Sequence, residues 1–277
     1  INYMGGLLFA PGLGCLLAAI TFARNAGWTD TGVLILLGVG LSLLVAWIVS
    51  ELKAKVPLID VRLLANRNVA LANLIFAIVA LTIMQKNHLT SLLLQQPQWT
   101  GIGLGVTATF SGMVLLPAAM TSFIGGPGSG WLFSRIGGRL TMLAGCALLL
   151  LGWGSLAFSH SAWFQVGVWV TIAGLGLSIV YSVVPMLIVS TVPMERTSEA
   201  IGIPTVIRST FMGLGAQALG FILDTSSAIS PTGDARYPDI HAFNLAFIYM
   251  ISGCLLIFLI SAMLPGSSFK RAETAAA

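Results

Sequence analysis

The sequence predicts an all-α integral membrane protein of about eight transmembrane helices, and three observations carry that prediction. Of its 277 residues, 57% are hydrophobic and only 8% are charged. An average soluble domain carries about 25% charged residues, so this chain has too few charges to coat a water-soluble globule of its size. Its apolar runs reach roughly 20 residues, the length a helix needs to cross a hydrocarbon core. They are apolar on every face, whereas the strands of a membrane barrel alternate polar and apolar over about 10 residues. Disordered chains are charge-rich and apolar-poor, and the 31 glycines show no collagen period.

The spans, in order, are 3–23, 31–50, 69–94, 104–126, 140–158, 163–191, 204–223 and 243–264. The third and seventh each contain a charge, Lys86 and Arg208. Lys and Arg favour cytoplasmic loops. Of the 13 Lys and Arg residues, nine fall on the side that holds the two chain ends and the loops after the second, fourth and sixth spans. Arg24 and Arg236 fall on the opposite side. This split predicts that both ends of the chain face the cytoplasm across the inner or plasma membrane. The basic pI of about 9.2 then reflects inside-positive loops, and no basic stripe with interleaved aromatics points to nucleic acid. Cys15, Cys146 and Cys254 lie inside spans, where thiols behave as small hydrophobes. No cysteine or histidine spacing suits a metal, and no cofactor is expected.

The chain reads as a central two-helix hairpin (1–50), a cytoplasmic linker (51–68) and a six-helix block with a short cytoplasmic tail (69–277). The block divides into two three-helix units of inverted-repeat character. In its first helix Asn73, Ala77, Ala80, Met84, Asn87, Ser91 and Gln95 recur at three- to four-residue spacing and form one stripe. In its fourth, Thr171, Gly174, Ser178, Ser182 and Pro185 do the same. Polar faces avoid lipid. Two roles fit the stripes: lining a substrate cavity, or helix packing through small and hydroxyl residues. Gln85, Lys86, Asn87 and His88 make a polar knot, and Lys86 either snorkels to the interface or lines the cavity. Arg208, within about one turn of the inner end of its span, has a structural part at loop carbonyls or lipid phosphates. No Asp or Glu lies deep in a span, so only His88 offers a titratable group at depth for proton coupling.

Four segments resemble the major facilitator superfamily, in particular its fourteen-helix drug:proton antiporter branch. VPLIDVRLLANRN (56–68) is similar to the segment that precedes the carboxy-terminal half there. LLLQQPQWTGIGLG (92–105) resembles the outer end of the next helix and the turn after it. GWLFSRIGGR (130–139) resembles the inner loop Gly-x-Leu-Ala-Asp-Arg-x-Gly-Arg-Arg. Gly130, Leu132, Arg135, Gly137 and Arg139 match it, while Ser134 replaces the Asp. VPMERTSEAIG, with Arg208 and Gly215 (192–215), resembles the Val-Pro-x-Glu stretch, and Phe211 stands where a glycine is usual. The resemblance implies a partial major facilitator fold: the extra central helix pair plus the carboxy-terminal six-helix half. The amino-terminal half is then a missing partner.

The resemblance further implies the carboxy-terminal part of a secondary active transporter, not an enzyme. It would perform proton-coupled efflux of amphipathic small molecules or drugs by alternating access. Asn73, Met84, Asn87, Ser91, Ser178 and Ser182 would line the substrate cavity. Gly130, Ser134, Arg135, Gly137 and Arg139 would form a cytoplasmic gating loop whose charge relay lacks its Asp. The alternative expectation is a truncated, non-transporting membrane protein that only packs against partners. The charge split is tested by reporter fusions. Those placed after Ser50 and after Ala277 should report cytoplasm, and one after Asp30 the outside. A cytoplasmic signal at Asp30 would reverse the frame.

Overall fold

The computed structural model describes residues 3–53, 66–191, 197–231, 233 and 235–264. Among these, eight helical stretches are long and apolar enough to cross a membrane, and the chain is an all-α, multi-pass membrane protein. Helices α1 (Tyr3–Ala26) and α2 (Thr31–Lys53) form an antiparallel hairpin. The Asp30 carboxylate starts α2 by accepting the N–H groups of Gly32 at 2.8 Å and Val33 at 3.3 Å, which satisfies two of the donors every helix start leaves free. Ala19, Ala23 and Val33 give the hairpin a small core of its own. Helix α1 packs on the helix Thr197–Leu223 of the second body, where Gln217 Nε2 donates a hydrogen bond to Thr21 Oγ1 at 3.0 Å. Most of the proposed linker, at 54–65, and the tail lie outside the described residues.

The second body starts with α3 (Arg67–Leu81), capped by the Asn66 side chain, and α4 (Lys86–Gln95). A tight 3₁₀ turn at Ile83–Gln85 separates them, so the expected single span at 69–94 is interrupted near its middle. Four long helices follow: α5 (Ala108–Ile136), α6 (Gly138–Phe158), α7 (Trp163–Val189) and α8 (Thr197–Leu223). Strands β1 (Ser227–Ile229) and β2 (Arg236–Pro238) pair antiparallel between α8 and α9 (Ile240–Ala262). Asp239 caps α9 at the N–H groups of His241 and Ala242 and also accepts the Ser226 hydroxyl. The Ser226 hydrogen bond, with those two amides, holds its carboxyl below the usual carboxylate range.

Packing of the six-helix body is reciprocal. The pairing of α3 with α8 is mirrored by that of α7 with α5, the pairing of α6 with α7 by that of α9 with α3, and α6 packs on α9. That is the pattern of two three-helix units exchanged by an approximate two-fold axis. The core between them is large and apolar, with Trp153, Phe243, Phe247, Met142 and Leu149 fully buried.

Two expected boundaries move. The span expected to stop at 126 runs to Ile136, through Pro117 and Pro127. The span expected to start at Pro204 starts at Thr197 and holds that proline inside. Both corrections have one cause. In an apolar surrounding a helix end exposes backbone groups at a cost of several kcal/mol, whereas a proline removes one N–H and kinks the helix.

Candidate functional site

A half-open cavity of about 810 Å³ lies between α4, α5 and α7. From α4 it is lined by Lys86, Asn87 and Ser91. The α5 wall carries Gly112, Leu115, Leu116, Ala118, Ala119 and Ser122, and the α7 wall Gly174, Leu177, Ser178, Tyr181 and Ser182. This size suits a drug-sized molecule, since ligand pockets run about 300–1,000 Å³. The composition suits one too: leucines and small residues for an apolar body, with a few amide and hydroxyl groups for its polar end.

The break between α3 and α4 places the α4 residues. In an unbroken helix the Gln85 N–H would bond to the Leu81 carbonyl. Here it bonds to the Thr82 carbonyl at 3.2 Å, and the Leu81 carbonyl takes the Tyr249 hydroxyl of α9 at 2.6 Å. Gln85 Nε2 donates to the Met212 carbonyl of α8 at 3.0 Å and to the Ala80 carbonyl at 3.3 Å. Thr82 Oγ1 donates back to the Ile78 carbonyl at 2.7 Å, a contact that bends helices. Two glycines let the neighbours in. A Cβ on Gly215 would sit 2.0 Å from the Leu81 carbonyl oxygen, and one on Gly253 would sit 2.3 Å from Thr82 Oγ1.

The other wall is set by a close α5–α7 crossing. A Cβ on Gly125 would fall 1.7 Å from Ser178 Oγ, so only glycine admits this approach. Ser178 and Ser182 donate to the Leu175 and Ser178 carbonyls of their own helix at 2.8 and 2.9 Å, and their lone pairs remain available. Ser91 Oγ accepts the Gln95 side-chain amide.

Of the six expected cavity residues, the structure brings Asn87, Ser91, Ser178 and Ser182 together. Asn73 and Met84 are not among the lining. Asn73 is 2% exposed and donates to the Val69 carbonyl at 2.8 Å, and Met84 packs against the core. The stripe splits because the 3₁₀ turn advances the backbone by about 120° per residue instead of 100°, which rotates α4 relative to α3. Gln85 is buried and structural. His88 lies on a separate small groove with Ser91 and Gln95.

Arg208 sits eleven residues into α8, roughly 16 Å from its start by helical rise, and not within one turn of the end. Its guanidinium lies 5.9 Å from the centroid of the Tyr181 ring, which also contacts Phe76. The expected gating loop is also corrected. Gly130, Ser134 and Arg135 lie in the last turns of α5, and only Gly137, at φ +82°, makes the turn. Arg139 follows in the first turn of α6. Ser134 bonds back to the Trp131 carbonyl at 2.8 Å and caps nothing, while Arg135 lies over the Trp131 ring at 4.4 Å. Sequence reading missed the α5 wall and Tyr181. The small or polar residues Gly112, Ala119 and Ser122 recur on one helical face and were the available signal.

Single cysteines at Asn87, Ser122 and Ser178, in a chain cleared of Cys15, Cys146 and Cys254, should react with a membrane-impermeant thiol reagent. Those at Asn73 and Ala80 should stay inert. The reverse pattern would dissolve the cavity assignment.

No family model matches the chain. Curated relatives do. The chain is 30% identical over 241 residues to the multidrug resistance protein Stp of Mycobacterium tuberculosis, covering 85% of this chain and 43% of that protein. It is 26% identical over 265 residues to the uncharacterized MFS-type transporter YcnB of Bacillus subtilis, covering 94% and 54%. With the methyl viologen resistance protein SmvA of Salmonella typhimurium it shares 30% identity over 193 residues, covering 69% and 38%. The chain spans about half the length of the curated relatives it matches.

Proposed function

The chain is related to the multidrug resistance proteins and transporters of the major facilitator superfamily, and from that premise we propose that it is the carboxy-terminal part of a proton-coupled efflux transporter. Its substrates are amphipathic small molecules, carried by alternating access. The cavity between α4, α5 and α7 carries this reading, because it combines drug-sized volume with an apolar wall and a few polar groups. Asn87, Ser91, Ser178 and Ser182 contact the substrate. Asn73 and Met84 support the helices behind it. In such transporters the path runs between two helix bundles that rock against each other, and the half-open cavity faces an amino-terminal six-helix partner. The turn at Gly137, flanked by Arg135 and Arg139, acts in the conformational exchange and not in binding. The proton is exchanged with groups of the partner half, since the span helices described here hold no deep carboxylate. The activity is transport with no chemical step and no cofactor, in the cell membrane, with both ends of this chain cytoplasmic. The hairpin α1–α2 forms the central pair, and 51–68 is the linker to the carboxy-terminal half.

The test is transport in everted vesicles from an efflux-deficient bacterium, with fluorescent amphiphiles of both charges. The chain alone should give no uphill movement. A polypeptide with an amino-terminal six-helix half joined ahead of Ile1 should give accumulation that a protonophore abolishes. Ser178→Trp, which fills the cavity, should reduce that signal at least about tenfold at equal expression. Robust proton-driven transport by the chain alone, or none by the joined protein, overturns the proposal.

A further inference from the structure

We infer that the cavity selects anionic amphiphiles over cationic ones. The inference rests on the reading of this cavity as the substrate site and goes on to name the charge it takes. Lys86 lines the cavity, and no carboxylate is among its lining residues. Arg208 stacks on Tyr181, itself a lining residue, so a second positive group stands behind the wall. The described carboxylates Asp30 and Asp239 are committed to helix caps, and Glu51, near the end of α2, and Asp224, just after α8, are not among the cavity's lining residues. Among the described residues none forms an ion pair with Lys86.

An ammonium with partial burial and no counter-charge is costly, and the cost is offset when a bound anion supplies the missing charge. A cationic ligand in the same place meets like-charge repulsion instead. The neutral groups agree in sign. The Asn87 amide and the hydroxyls of Ser122 and Tyr181 have no hydrogen-bond partner among the described residues, and each can donate to an anionic oxygen. Leu115, Leu116 and Leu177 offer the apolar surface for the rest of the molecule. A sulfonate, carboxylate or phenolate on an aromatic body meets every feature of this lining.

The test uses the 277-residue chain in nanodiscs of zwitterionic lipid at neutral pH, with two probes of matched size and opposite charge. These are tritiated 1-naphthalenesulfonate and 1-naphthyltrimethylammonium. Saturable binding is measured against empty nanodiscs. The sulfonate should bind at least about tenfold tighter, equivalent to roughly 1.4 kcal/mol. Lys86→Gln should bring the two probes within about threefold of each other, Lys86→Arg should keep the anion preference, and Lys86→Glu should invert it. Should a variant fail to fold, the parent's preference alone decides. Equal or cation-favouring binding by the parent, or a preference unchanged in a folded Lys86→Gln chain, overturns the charge assignment and leaves the cavity standing. Saturable binding of neither probe overturns the cavity reading, and the inference falls with it.

Discussion

A helix interrupted among apolar neighbours must return its freed backbone groups to partners, because no water is at hand to take them. The turn between α3 and α4 meets that constraint with side chains from two other helices. Tyr249 takes the Leu81 carbonyl, and Gln85 reaches across to Met212. Gly215 and Gly253 supply the room for both approaches. None of these four contacts is local in sequence. The arrangement therefore exists only once α3, α8 and α9 have assembled, and it ties the two three-helix units together at mid-span.

What the interruption achieves is a change of face. Asn73, Ala77 and Ala80 stay in the core below it. Above it, Lys86, Asn87 and Ser91 turn toward α5 and α7. A continuous helix would have kept Asn87 and Ser91 on one stripe with Asn73, Ala77 and Ala80. The second wall depends on Gly125 opposite Ser178 in the same way. In both places the absence of a side chain on one helix sets where a polar side chain of another can stand.

Much of this was legible in the sequence. Eight spans follow from length and hydropathy alone. Four cavity residues were legible from three- to four-residue spacing. The break was not, because Leu81–Lys86 contains neither proline nor glycine. Its causes are a glycine on α8, another on α9 and a tyrosine hydroxyl, which pattern reading along one helix does not weigh. The ends of α5 and α8 were misjudged for the opposite reason. Gly126, Pro127 and Pro204 are strong breakers in water, but within a bilayer the helix is held together by the lack of any alternative partner for its backbone. The β-hairpin before α9 is too short to show strand periodicity.

The break between α3 and α4 depends most directly on the hydrogen bond from Tyr249 to the Leu81 carbonyl. Its measurement is the unfolding free energy of Tyr249→Phe against the parent chain in the same detergent. Removing only the hydroxyl leaves a partly buried carbonyl unpaired, which predicts a loss of about 1–2 kcal/mol and faster thiol labelling of a cysteine at Thr82 beside it. A phenylalanine variant as stable as the parent, with Thr82 equally protected, would contradict the claim that the break is held in place by its neighbours.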